Sequence, residues 1–166
     1  STNGIDWTQD GFSPVNPRGV TWASALGLFV ICCASASIHA IWTSSNGIDW
    51  TEQTTPNGSP LSVAWSASLG MLVATGLTGV TGMSSPDGIN WTSRSVSGNN
   101  VTWIAEEGLF VTGKYYSANG TTWNTSATGQ DDLCQAYEEN TQIILSASTT
   151  RYVFSSDHAV SWRNLN

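Results

Sequence analysis

The sequence predicts an all-β fold made of repeats, and three observations support this prediction. A short motif, in which Asn-Gly or Asp-Gly is separated by two residues from a Trp, recurs along the 166 residues. Its tryptophans lie roughly 40 residues apart, which is the typical length of a propeller blade with four short strands. No segment combines a helical hydrophobic period with helix-forming residues. We therefore expect one domain over residues 1–166, a small β-propeller of four blades at residues 19–52, 62–93, 100–125 and 132–163.

Each copy of the motif, called the Trp box below, predicts a tight turn that opens onto a strand. The copy at 85–92 reads Ser-Pro-Asp-Gly-Ile-Asn-Trp-Thr. Asn-Gly and Asp-Gly are typical of type I′ hairpin turns, in which both central residues take a positive φ. The defining residues of the five copies, of which the last is degenerate, are Trp7, Asn46, Gly47, Trp50, Asp87, Gly88, Trp91, Asn119, Gly120, Trp123 and Trp162.

A second repeated pattern predicts the other strands of each blade. Two strands joined by a turn that ends in Gly recur around Gly27, Gly70 and Gly108, and a decayed copy follows at 133–146. These hairpins supply strands A and B. The segment before each Trp box supplies strand C, and the Trp box leads into strand D. We expect the tryptophans of the Trp boxes to pack between blades, because they recur once per repeat. We expect Trp22, Trp65 and Trp103, on the innermost strand, to pack either around the axis or between blades.

The Trp boxes outnumber the predicted blades by one, and the surplus copy lies at residues 2–8. We expect a self-contained four-bladed ring in which this segment is an additional outer strand. Three alternatives stay open. The segment displaces the degenerate C-terminal copy, it completes a blade of a neighbouring subunit by strand addition, or the chain belongs to a larger ring.

Composition limits the classes of partner. Only 10% of the residues are charged, the net charge is −7, and the five basic residues are scattered along the chain. A phosphate-binding surface needs clustered Lys and Arg, so we expect no nucleic acid partner. The longest apolar run is too short to span a bilayer, so we expect no membrane insertion. The composition suits an extracellular or virion-surface protein.

The three cysteines show no metal-ligand spacing, and we expect neither a metal nor a cofactor. Buried core positions are the ordinary place for unpaired cysteines. The alternative is a disulfide from Cys134 to either Cys32 or Cys33, which would join the last blade to the first.

The Ser-x-Asp/Asn-Gly-x-x-Trp pattern resembles a shortened Asp box, the repeat of sialidases and related propellers. The longer combination of Val-x-Trp, Gly-Leu-Phe-Val and the Trp box resembles repeats of uncharacterised propeller-like proteins from phage tail fibres, large viruses and environmental bacteria. The resemblance covers most of the chain. It implies a propeller fold in which the boxes are structural corners, on the face away from the binding site.

The residues argue against an enzyme. The resemblance to sialidases would imply three arginines that bind a carboxylate of the substrate. This chain has four arginines in total, and none of them lies in a catalytic pattern. The acidic pairs Glu106-Glu107 and Glu138-Glu139 fall in equivalent turns rather than facing one another across a site, as a glycosidase needs. His39 and His158 lack the partners of a triad or metal site.

The connections between strands and blades are polar, weakly charged and rich in Asn, Ser and Thr, which suits hydroxyl-rich ligands. Candidate ligand-binding residues are Arg18, Trp42, Arg94, Asn99, Tyr115 and Tyr116. We therefore predict a non-enzymatic surface, virion fibre or decoration module that binds carbohydrate and self-associates. The alternative is a structural subunit of an extracellular or viral filament that assembles by N-terminal strand exchange. An Asp-box glycosidase is a third hypothesis.

Overall fold

The computed structural model describes residues 3–9, 11–14, 16–34, 39–56, 59–77, 82–126, 134–138, 143–147, 152–155 and 163–164. These residues form sixteen strands in four antiparallel sheets of four strands each, and none of them lies in a helix. No helix of the described part is therefore long enough to cross a membrane. The prediction of an all-β propeller with four blades is confirmed.

Each blade is a meander in which the strand order follows the chain. Blade 1 contains β1 (Pro17–Ala23), β2 (Leu28–Ala34), β3 (His39–Ser44) and β4 (Thr51–Thr54). Blade 2 contains β5 (Pro60–Ser66), β6 (Met71–Gly76), β7 (Gly82–Ser85) and β8 (Thr92–Arg94). Blade 3 contains β9 (Thr102–Ile104), β10 (Leu109–Thr112), β11 (Tyr115–Ser117) and β12 (Asn124–Thr125). Blade 4 contains β13 (Cys134–Glu138), β14 (Ile143–Ala147), β15 (Tyr152–Ser155) and β16 (Arg163–Asn164).

In blades 1 to 3 the first hairpin is closed by a turn that ends in a glycine. Gly27, Gly70 and Gly108 have φ values of 63°, 59° and 65°, a left-handed conformation that other residues rarely adopt. In blade 1 the Leu26 amide donates to the Ala23 carbonyl across 3.0 Å, which closes the turn. The strands then pair large side chains directly opposite one another, as with Trp22 and Phe29, whose rings lie 4.5 Å apart.

The hydrophobic core lies between the blades. Alternate residues of a strand point to opposite faces of its sheet, so each blade has a forward face, toward the next blade, and a rear face, toward the preceding one. Forward-facing Val30, Cys32 and Ile41 of blade 1 pack against rear-facing Val63 and Leu72 of blade 2. The same arrangement joins blade 2 to blade 3 and blade 3 to blade 4, through the residues Val73, Phe110, Val111 and Ile144.

Cys32 and Cys33 are buried free thiols in β2. Burial raises the pKa of the Cys32 thiol to about 12, and it raises that of Cys33 as well. Both thiols therefore stay protonated at neutral pH and act as small apolar core residues. The side chain of Cys134, the bridging partner considered from the sequence, lies outside the described residues.

The connection between blades 2 and 3 is fixed by hydrogen bonds rather than held loosely in solvent. The Val96 carbonyl accepts the Gly82 amide at 2.6 Å, and the Gly76 carbonyl accepts the Gly98 amide at 2.9 Å. The buried Ser62 hydroxyl donates to the Asn100 side chain at 3.0 Å and accepts the Val101 amide at 3.1 Å. These bonds join the inner strand of blade 2 to the start of blade 3.

The predicted N-terminal outer strand does not form, which corrects the prediction of a strand at 2–8. Residues 3–9 contain no strand, and Ile5 and Trp7 are 80% and 78% exposed. The corner of this Trp box is nevertheless present, because the Asn3 side-chain oxygen accepts the amides of Ile5 and Asp6, both at 2.9 Å. The local sequence is sufficient for the corner, whereas a strand also needs a sheet edge to pair with.

Contacts between blades follow the chain. Strands β1 and β2 contact β5, β5 contacts β9, and β9 contacts β13. Among the described strands no contact of this extent joins blade 4 to blade 1.

One prediction concerns the glycines at the corners. Gly120 has a φ of 70°, and an added Cβ would lie 3.0 Å from both Met71 and Val73 of blade 2. Gly108 has a similar φ of 65°, but an added Cβ would meet nothing within 4 Å. We expect Gly108→Ala to cost about 1–2 kcal/mol for the left-handed conformation alone. Gly120→Ala should lower the free energy of unfolding by about 1–3 kcal/mol more than Gly108→Ala, because the added methyl group also overpacks the interface between blades 2 and 3.

Urea denaturation of the two variants and the unsubstituted protein measures this difference. Equal losses in the two variants would show that the corner of blade 3 does not press on blade 2.

Candidate functional site: the grooves between blades

Each of the four Trp boxes that the structure describes folds around one side-chain oxygen. In the box at 85–91 the Asp87 Oδ1 accepts the amides of Ile89 and Asn90 at 2.9 and 2.8 Å. The Ser85 hydroxyl donates to the same oxygen at 2.9 Å and accepts the Gly88 amide at 2.9 Å. Equivalent bonds form around Asn46 and Asn119 in the boxes of blades 1 and 3.

The type I′ prediction is wrong for these corners. Gly47, Gly88 and Gly120 have positive φ, but among the described residues Asn16 is the only non-glycine residue with positive φ. Asn46, Asp87 and Asn119 instead form Asx turns, in which the side chain binds the backbone ahead of it and the residue keeps an ordinary φ. Each corner therefore needs one glycine rather than two residues in the left-handed region.

The tryptophan of a box closes the corner from the side. Trp50 and Trp91 donate their indole N–H to the carbonyls of Gly47 and Gly88, at 3.2 and 3.1 Å. Trp7 does the same with Gly4 at 3.2 Å. Trp123 differs, because its indole nitrogen is buried and has no hydrogen-bond partner in the part of the chain that the structure describes. The box of blade 3 thus departs from the others on the side where it meets blade 2.

Asp87 is the one acid at the central position of these three corners, where blades 1 and 3 carry Asn. Its second carboxylate oxygen accepts the Asn90 side-chain amide at 2.8 Å. This bond, followed by the backbone amides of Asn90 and Ile89, holds the pKa of Asp87 well below its usual range. Blade 1 makes the reversed pair, in which the Asn46 amide donates to Asp49 at 2.8 Å.

Two equivalent grooves lie where the Trp box of one blade meets the outer strand of the preceding blade. The groove between blades 1 and 2 has a volume of about 420 Å³ and is lined by Gln53, Thr54, Thr55, Pro56, Ile89, Asn90 and Trp91. The groove between blades 2 and 3 has a volume of about 350 Å³ and is lined by Ser93, Arg94, Ser95, Thr121, Thr122 and Trp123. Both are open to solvent, the second is the more polar of the two, and neither is lined by a carboxylate.

Arg94 distinguishes the second groove. Its Nε donates to the Ser84 hydroxyl across 2.8 Å, which fixes the side chain against the neighbouring strand. Gln53 occupies the same position in blade 1 and donates to the Thr43 hydroxyl, also at 2.8 Å. The terminal N–H groups of a guanidinium remain available when its Nε is bonded in this way. The groove therefore offers a fixed cation among hydroxyl groups, beside an indole ring.

The structure does not bring the six predicted ligand-binding residues together. Arg18 is exposed on β1, Asn99 is half-buried in the connection to blade 3, and Tyr115 lies 5.4 Å from the Lys114 ammonium. Trp42 contacts the Phe12 ring, and Tyr116 packs on the core between blades 3 and 4, so neither is a free stacking surface. Of the six, Arg94 alone lines one of the two described grooves.

Sequence reasoning did not name the other lining residues of the second groove as ligand-binding residues, namely Ser93, Ser95, Thr121, Thr122 and Trp123. The sequence does contain one signal for this groove, which is the position of Arg94 within the repeat. Arg94 follows Trp91 by three residues, as Gln53 follows Trp50, so the two occupy matching places on strand D. The groove also contains box residues, although the Asp-box resemblance implied a binding site on the opposite face.

Within the described residues, no three His, Cys, Asp or Glu side chains are grouped to hold a metal ion.

Comparison with known proteins identifies a fold. No protein-family model matches the chain, and no curated protein matches it significantly. A chain in the crystal structure of a nidogen/laminin complex matches with a TM-score of 0.61 at 12% identity, over 84% of this chain and 60% of that one. A β-fructofuranosidase from Schwanniomyces occidentalis, complexed with fructosyl-erythritol, matches with a TM-score of 0.47 at 14% identity, over 93% of this chain and 47% of that one. The chain thus spans 60% or less of these structures, and the first likeness shows a β-propeller fold and no more.

The second prediction concerns Asp87. Its pKa is lower in the folded protein than in the unfolded chain, where it is about 3.9. Asp87 therefore contributes stability above about pH 4, and this contribution is lost as the pH falls toward its folded pKa. We expect Asp87→Asn to be less stable than the unsubstituted protein at pH 7, by about 1 kcal/mol. The difference should shrink as the pH falls from 5 to 3.

The control is Asp87→Asn combined with Asn90→Asp, which copies the pair of blade 1 and should recover most of the stability at pH 7. Urea midpoints at several pH values measure both variants. A difference between Asp87→Asn and the unsubstituted protein that is constant with pH would contradict a lowered Asp87 pKa.

Proposed function

We propose that this protein is a non-enzymatic β-propeller module, at a cell or virion surface, that binds carbohydrate in the groove between blades 2 and 3. Its repeat would be a shortened form of the Asp box. The observation that carries the proposal is the fixed Arg94 side chain in a groove of hydroxyl groups beside Trp123. Hydroxyls and an indole ring suit a sugar, and a guanidinium suits a carboxylate. The favoured ligand is therefore a saccharide that carries a carboxylate.

The size and openness of the groove support binding of one or two sugar residues rather than an enclosed small molecule. A volume of about 350 Å³ lies at the lower end of the range for ligand sites. The chain carries only five basic residues, and of these Arg94 is the one that lines a described groove.

The absence of carboxylates from both described grooves supports a binding role over hydrolysis. A glycosidase places two carboxylates on either side of the bond that it cleaves. Release of a fluorogenic group from sialosides or galactosides would favour the Asp-box glycosidase instead.

A filament subunit is the second candidate, and the N-terminal Trp box favours it. This box makes its own corner but joins none of the four sheets, and Trp7 stays exposed. Completion of a neighbouring subunit by this segment would account for both features. Loss of assemblies on deletion of residues 1–8 tests this candidate.

The third prediction tests carbohydrate binding. We expect the protein to bind acidic glycans on an array, and Arg94→Gln to weaken that binding by at least about tenfold, the effect of losing one charge-assisted contact. The substitution should spare the fold, because Gln53 makes the equivalent hydrogen bond in blade 1. Titration calorimetry with the best glycan measures the change.

Gln53→Ala, which alters the equivalent groove, is the matched control and should leave the affinity unchanged. If correctly folded protein binds no glycan above background, or if Arg94→Gln binds equally well, the groove does not have this function.

A further inference from the structure

The two ends of the blade series present faces that the interior of the same series buries. Val20 on the rear face of blade 1 is 64% exposed, whereas the equivalent Val63 and Val101 of blades 2 and 3 are 6% and 4% exposed. Phe29 is 36% exposed, and its equivalents Leu72 and Phe110 are fully buried. Trp22 lies beside Phe29 on this face and is also exposed.

The forward face of blade 4 includes the described side chain of Leu145. Leu145 on β14 is 39% exposed, while Val30, Val73 and Val111 at the equivalent positions of blades 1 to 3 are completely buried. Ile144, the preceding residue of the strand, points the other way and is buried against blade 3. Leu145 is therefore exposed because it lies on the forward face of the sheet, and not because strand β14 packs poorly.

The N-terminal segment covers only part of the rear face of blade 1. The Phe12 ring stacks on Trp50 with the centroids 4.9 Å apart and meets the edge of Trp42 at 5.4 Å. Val20, Trp22 and Phe29, nearer the first strand, have no such cover. The equivalent residues of blade 2, which are Val63, Trp65 and Leu72, belong to one hydrophobic cluster with Val30 and Ile41 of blade 1.

We infer that the rear face of blade 1 binds the forward face of blade 4 of a second copy, head to tail. The packing between successive blades of the chain identifies the partner surface. At each of these interfaces, the forward face of one blade packs on the rear face of the next. The forward face of blade 4 is the one of that kind left exposed in the described part of the chain. This contact needs no exchange of the N-terminal strand. Because it joins two different surfaces, it leaves each assembly one free face of each kind, so the assembly either closes into a ring or grows.

The experiment uses two complementary variants. Val20→Asp blocks the rear face, and Leu145→Asp blocks the forward face. Sedimentation velocity of the unsubstituted protein should show species heavier than the 17.7 kDa chain, and each variant alone should associate at least about tenfold more weakly, because an unpaired charge is costly to bury. An equimolar mixture should regain a dimer that grows no further, since each chain retains one intact face.

Leu77→Asp is the matched control, since Leu77 is 56% exposed on a connection of blade 2 and should not affect association. Ile5→Asp alters the N-terminal box and should also have no effect, which separates this contact from strand exchange. Circular dichroism checks the fold of each variant. If Val20→Asp disturbs strand β1, the variant Val20→Lys is used in its place.

A monomeric unsubstituted protein at all concentrations would overturn the inference, and so would a mixture of the two variants that remains monomeric. Loss of assembly in Ile5→Asp with normal assembly in Val20→Asp would assign the contact to the N-terminal box instead.

Discussion

The structure depends on packing between the faces of neighbouring blades. A four-stranded sheet of this length has apolar residues on both sides and cannot bury either one alone. Contact between Val30 of one blade and Val63 or Leu72 of the next removes both faces from water, and each fully buried side chain of this size contributes about 1.5–3 kcal/mol. The hydrogen-bonded ladders give each blade its shape, but these contacts hold the blades together.

The Trp boxes make that packing possible because they satisfy their own polar groups. The Asp87 carboxylate and the Ser85 hydroxyl bind the amides of the turn, so the corner can press against the preceding blade without leaving a backbone donor unpaired. The approach is close, because a Cβ added to Gly88 would lie 3.6 Å from Leu28 of blade 1. The grooves arise at the same place, where the outer strand of one blade ends beside the corner of the next.

The repeat and its strands could be predicted from the sequence because they rest on local patterns: the spacing of the tryptophans and the alternation along each strand. The turn type could not, since Asn-Gly serves both a type I′ turn and an Asx turn, and only the bonds of Asn46 distinguish them. Arg94 was a candidate from its isolation in a polar connection. Its place opposite Thr121 and Trp123 depends on how two blades pack, and Trp42 was misjudged because Phe12 reaches it from another part of the chain.

The hydrogen-bonded connection between blades 2 and 3 also affects which parts of the protein unfold locally. In a series of units that contact only their neighbours, stability is a sum of unit and interface contributions. Blade 2 has both faces covered and is tied to blade 3 through the Ser62 hydroxyl, whereas blade 1 has one face open. Amide hydrogens of β6 should therefore exchange with solvent only through global unfolding, while those of β1 can exchange through local fraying of the first blade.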